Sequence, residues 1–132
     1  MPAPTFELVV HDERLTIARL APTAALPSWA LGRFVTVSRT PSELSVICAE
    51  QHVPPEVTQE RGRIAFGIAG TVPMSTIGVL AALTRALAAV EVPVFVVSTY
   101  DTDYLLVTAE RFERARAALE AEGHTFSGTP PS

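Results

Sequence analysis

Between the apolar runs at 94–97 and 104–107 the chain places Ser98, Thr99, Tyr100, Asp101, Thr102 and Asp103. Two carboxylates two residues apart among hydroxyls are open to four uses: cation binding, acid–base work, shaping a turn, or accepting hydrogen bonds from a small molecule. A Mg²⁺ or Ca²⁺ site needs several oxygen ligands, and one D-x-D pair supplies too few to specify it. His11, His52 and His124 lie far apart and Cys48 is the single cysteine, so no zinc-ligand spacing is present. Asp101 and Thr102 suit a hairpin turn, because a short polar side chain bonds its own backbone readily. Asp103 stands between a ligand or interface role and a purely local one.

A second polar stretch precedes a helix pattern. In TVPMSTIG (71–78) Ser75 or Thr76 can serve as N-cap for a helix over 77–90. Its apolar positions 77, 80, 83, 87 and 90 trace one face, and its alanines allow close packing on a sheet. The N–H groups at the start of such a helix are unpaired donors in a positive potential, which suits a carboxylate. Gly78 would let a ligand approach the backbone. Backbone carbonyls near Thr99, or Asp101 and Asp103, could take an ammonium.

The elements that must position these groups follow from the pattern. RIAFGIAG (63–70) is a strand whose glycines mark close backbone approach. Pro93 ends the 77–90 helix, and strands follow at 94–99 and 104–108. Residues 109–123 form an amphipathic helix with Phe112, Ala115 and Leu119 on one side and Gly123 as its stop. HTF (124–126) starts a last short strand. In the first half, RLTIARLA (14–21) alternates as a strand, and 22–32 allows only one short helical turn between Pro22, Pro27 and Gly32. Runs 33–40 and 44–50 form a hairpin through PSEL, and 51–62 is a polar connection. The order is β-α-β-β, then β-α-β-β-α-β, an internal repeat of pattern that fits two small α+β units. The crossover from strand 63–70 through the helix sets strand 94–99 parallel to it. Loop 71–78 then lies at the same edge as the 99–103 corner.

Bulk properties remove several function classes. The chain has 132 residues, 48% hydrophobic, with a formal charge of −4. The ten basic residues are scattered, and Arg111, Arg114 and Arg116 alternate with acids, so no phosphate-binding patch for nucleic acid forms. Cys48 sits in the apolar run LSVICA and reads as a small core residue. Trp29, the single tryptophan, reads as a packing anchor of the first half or a subunit contact, ahead of ligand stacking. The start carries no signal-peptide pattern and no apolar run reaches membrane-spanning length, so the expectation is a cytoplasmic protein without membrane attachment. Lysine is absent, and no nucleophile elbow, P-loop or dinucleotide fingerprint occurs, so no catalytic residues and no cofactor are assigned and the chain is expected not to be an enzyme.

Residues 74–107, with the strand and helix around them, resemble the ACT-domain family. They are most similar to small tandem-ACT proteins related to aspartate kinase regulatory domains and CASTOR-type amino-acid sensors. The likeness is specific over 62–126, where strand, S-T-I-G helix start, alanine-rich helix, P-V-F re-entry and S-T-x-D-T-D hairpin occur in order. Over 14–50 it rests on strand order. The resemblance implies an α+β fold of two tandem ferredoxin-like (βαββαβ) units with antiparallel sheets, the first abbreviated. It implies a first unit over 1–61, an ACT domain over 62–126 and a disordered tail over 127–132. It also implies an allosteric regulatory protein binding an amino acid or similar metabolite at an interface between paired ACT units. The family's ligand-contacting positions fall here on Met74, Ser75, Thr76, Ile77, Gly78, Thr99, Tyr100, Asp101, Thr102 and Asp103. A homodimer would complete the site, and an unidentified protein would read its state. The other reading is a ligand-free dimerisation module.

Overall fold

The computed structural model describes residues 4–73 and 75–132. The chain divides into two compact units: Glu13–Arg63 with the last two residues, and residues up to Asp12 together with Ile64–Pro130. The boundary differs from the cut at residue 61 read from the sequence, because a strand at the start of the chain pairs with the C-terminal half.

In the first unit, β2 (Leu15–Leu20), β3 (Thr36–Arg39), β4 (Leu44–Ala49) and the opening half of β5 (Gln59–Ile68) lie in the order β3-β4-β2-β5, all antiparallel. The expected hairpin is β3–β4. No helix forms between β2 and β3; the chain passes through turns instead, such as the Ala24 N–H to Ala21 carbonyl bond. Prolines 22 and 27 leave too few donors for a second helical turn. β5 begins at Gln59, inside the stretch read as a connection. Its opening residues are polar throughout, so alternation cannot reveal them, but the buried Thr16 hydroxyl reaches the Glu60 carbonyl at 3.0 Å. Leu44, Val46, Cys48 and Val53 form this unit's core, with Trp29 packed against it. Burial pushes the Cys48 thiol above its ordinary value, so it behaves as an inert apolar group.

The second unit contains β1 (Glu7–Val10), the rest of β5, α1 (Val79–Ala89), β6 (Phe95–Ser98), β7 (Asp103–Thr108), α2 (Phe112–Ala121) and β8 (Thr125–Ser127). The strand order is β6-β7-β5-β1-β8. This is a ferredoxin-like unit with β1 inserted between β5 and β8, antiparallel to the first and parallel to the second. β7, not β6, is the neighbour of β5. Leu8, Val10, Ile64, Phe66, Ile68, Leu105 and Val107 point to one sheet face and meet Leu83 and Leu87 of α1 and Phe112, Ala115 and Leu119 of α2. Burial of that face drives the assembly. On the other face the ring of Tyr104 lies across Gly67; a Cβ there would stand 2.5 Å from the ring, which is the close approach expected of this strand's glycines. α1 ends in paired bonds from Glu91 and Val92 N–H to Ala88 and Leu87 carbonyls, with Glu91 in the left-handed region. α2 ends at Gly123, whose φ is 96°. Ser127, read as the start of a disordered tail, belongs to β8.

The β1–β8 junction is latched by His124. Its Nδ1 accepts from the Phe6 N–H at 3.1 Å, and its ring stacks on Phe6. That bond requires the proton on Nε2 and a neutral ring, and burial pushes the pKa below its ordinary 6.5. Above about pH 6.5 the latch contributes fully; as pH falls below that, the unfolded chain takes up a proton that the folded ring refuses, and stability drops. Urea midpoints should therefore fall from pH 7.5 to 5.5, and His124→Gln should flatten that slope. An equal slope in the variant would remove His124 as the cause.

Candidate ligand-binding cleft

The end of β5 and the start of α1 are joined by a loop that the hairpin holds in place. The Val72 N–H donates to the Asp101 carbonyl at 2.7 Å, and the Thr76 N–H to the Pro73 carbonyl at 2.9 Å. Neither Ser75 nor Thr76 caps the helix. The cap is Gly78, at φ 83° and ψ 3°, with no side-chain bond to the first turn. A β-carbon at 78 would meet nothing within 4 Å, so glycine serves here for its backbone conformation. The first helical bond runs from Ala82 N–H to the Gly78 carbonyl. The N–H groups of Val79, Leu80 and Ala81 come before it and find no acceptor among the described residues.

The hairpin facing them is tightly built. Ser98 and Asp103 are cross-strand partners, and the Ser98 hydroxyl donates to Asp103 Oδ1 at 2.6 Å. Thr99 N–H and hydroxyl both donate to the Thr102 carbonyl, and the Thr99 hydroxyl accepts from Thr102 N–H at 3.3 Å. The buried Thr102 hydroxyl donates to the Ile68 carbonyl at 2.9 Å, anchoring the corner to the end of β5. Asp101 joins the fold through its main chain, and its side chain is exposed. The self-bonding turn carboxylate expected at 101 is thus replaced by threonine bonds on either side of it.

Between helix start and hairpin lies an open cleft of about 400 Å³. Of the residues singled out from the sequence, Thr76, Gly78, Thr99, Tyr100, Thr102 and Asp103 line it. Ser75, Ile77 and Asp101 are exposed and do not line it. Met74 lies outside the described residues. Ile77 departs most from expectation: read as the first position of the buried helix face, it is 95% exposed, because the helix starts after Gly78. Val72, Pro73, Val79, Leu80, Ala81 and Ser98 line the cleft without having been singled out. Pairing of 98 with 103 across a hairpin was the available signal for Ser98. Among the described residues no three His, Cys, Asp or Glu side chains gather as a metal site. The cleft is thus lined by Gly78, Val79, Leu80 and Ala81 at the start of α1 and by Ser98, Thr99, Tyr100, Thr102 and Asp103 of the hairpin, with Val72, Pro73 and Thr76 from the loop.

Comparison with known proteins agrees with this architecture. The ACT-domain family model matches residues 59–121. A protein from Agobacterium tumefaciens, of known crystal structure, is 32% identical over 95% of this chain and 94% of its own, with a TM-score of 0.89. The chain belongs to the ACT-domain family. A second family model, described as an N-terminal domain, matches residues 13–56. The ACT fold also links it to the aspartate kinase of Clostridium acetobutylicum, at 12% identity and a TM-score of 0.69, over 92% of this chain and 35% of that one. The ligand-free regulatory subunit of aspartate kinase from Thermus thermophilus matches at 16% identity and a TM-score of 0.56, over 87% of this chain and 95% of that one. Those two likenesses are of fold. No curated protein sequence matches the chain. Among the described residues no helix is long and apolar enough to cross a membrane.

Two substitutions separate the roles of the ACT cleft's frame. Thr102→Val leaves the buried Ile68 carbonyl without its donor and should cost about 1–3 kcal/mol in urea denaturation. Gly78→Ala forces a β-carbon into left-handed backbone with free space around it and should cost about 1–2 kcal/mol. A neutral Thr102→Val would mean that the corner is held by other contacts.

Proposed function

We propose that the chain is a regulatory module, not a catalyst, that binds an amino acid or a similar small metabolite in the cleft between α1 and the β6–β7 hairpin. The observation that carries this reading is the pairing of three uncapped helix N–H groups with a carboxylate across an open cleft. An α-amino acid matches both walls: its carboxylate suits the N–H groups of Val79, Leu80 and Ala81, and its ammonium suits Asp103 and the hairpin carbonyls. Two or three charge-assisted bonds of about 1.5–3 kcal/mol each, less the cost of association, correspond to roughly micromolar to millimolar affinity. That range suits sensing of a metabolite pool.

The exposure of Ile77 and Tyr100 supports a further part of the reading. They are 95% and 82% exposed, and Tyr100 lines the cleft. A second copy of the chain packing on them would close the cleft, so the functional form is a homodimer with the ligand at an ACT–ACT interface, in a cytoplasmic setting. Ligand would then shift the dimer toward the closed arrangement to the extent that it binds that state better, and a protein partner would read the difference. The same exposure favours a second reading, a ligand-free pairing module.

Thermal denaturation with each standard amino acid separates the two. A ligand at about 100 times its Kd adds about 2.7 kcal/mol, several degrees in a chain this size. The sensor reading expects such a rise for a subset of amino acids, lost in Asp103→Ala. A folded dimer that responds to none is the ligand-free module.

A further inference from the structure

The charge of the cleft limits what it can hold. Asp103 is the single charged side chain among its described lining residues; Thr76, Ser98, Thr99 and Tyr100 are neutral. No arginine or histidine of the second unit reaches it. Arg111, Arg114 and Arg116 bond to Thr108, the Val90 carbonyl and Glu113, His124 is held by Phe6, and neither Arg85 nor His11 lines the cleft. The chain has no lysine to send there. The groups that can receive negative charge are the N–H donors at the start of α1, and one carboxylate occupies them.

We infer that the cleft sorts amino acids by side-chain charge, accepting neutral and cationic side chains and refusing a second anionic group. This rests on the reading of the cleft as an amino-acid site. A side-chain carboxylate or phosphate would enter a space of about 400 Å³ with Asp103 on its wall and, beyond the ammonium that Asp103 holds, no cation among the described lining residues to offset it. In a partly desolvated site that repulsion is a sizeable fraction of the binding energy. A neutral amide of the same shape meets no such repulsion, and a cation gains attraction. Ser98 is the positioning residue: its hydroxyl donates to Asp103 Oδ1 at 2.6 Å and so fixes the carboxylate of a residue that lines the cleft.

Calorimetric titration of the full chain with isosteric pairs tests this. Glutamine is compared with glutamate and asparagine with aspartate, with arginine and lysine as cationic probes. Binding should be confined to neutral and cationic members, with any binding amide at least about tenfold tighter than its acid. Asp103→Asn, which keeps the shape, should reduce that ratio to about threefold or less. Ser98→Ala should reduce it in part, and Ser98→Thr should restore it. Glutamate or aspartate binding as tightly as its amide would overturn the charge rule and leave the amino-acid reading standing. Binding by none of the standard amino acids would overturn the reading itself.

Discussion

A helix that begins without a side-chain cap has backbone N–H groups to satisfy, and in this chain that constraint organises everything around the cleft. Ser75 and Thr76 are both of the type that caps a helix, yet a left-handed Gly78 intervenes and carries them away from the first turn. The N–H groups of Val79, Leu80 and Ala81 are therefore left for solvent or for a ligand. A Ser or Thr cap would make the same helix more stable and the cleft less able to hold an anion. The cap forgone is worth about 1 kcal/mol, a cost typical of sites that set stability aside for function.

The opposite wall is held by bonds that come from inside the fold. Thr102 sends its hydroxyl to the end of β5, and β5 is also the strand that leads into the helix start. Val72 and Asp101 tie the two loops main chain to main chain. Both walls of the cleft are thus referred to one strand, and their separation is set by the sheet and not by a flexible tip. Preorganisation of this kind lowers the ordering cost that a small ligand must offset. It also explains why hydroxyl residues crowd the hairpin: Ser98, Thr99 and Thr102 each spend their side chain on the frame, which holds Asp103 in the cleft lining.

The sequence was legible where periodicity and punctuation agree. Phe112, Ala115 and Leu119 are the buried face of α2, Gly123 is its stop, and the β3–β4 and β6–β7 hairpins sit where alternation placed them. The order strand, helix, strand, strand, helix, strand over the C-terminal half followed from the same signals, while the ACT resemblance there rested on motifs. What escaped was context-dependent. β1 is only four residues long and is strand because β5 and β8 offer edges for it. The opening residues of β5 are too polar to alternate. The helix start shifted because a capping residue type does not reveal whether a following glycine turns left-handed; Ile77 went to the surface as a result. At the cleft, the hairpin, the loop and the donors at the helix start were found as segments, but Ser98 was not assigned to the site and the helix start was placed at 77 instead of 79. Register and backbone geometry, not residue type, decide both.

The most direct test follows backbone amides by two-dimensional ¹⁵N NMR while an amino acid that stabilises the protein is titrated in. The account predicts that the largest shifts fall on Val79, Leu80 and Ala81 and on the 98–103 corner, and that they saturate together. Shifts confined to the first unit, or to the far ends of α1 and α2 with the first turn of α1 unmoved, would contradict it.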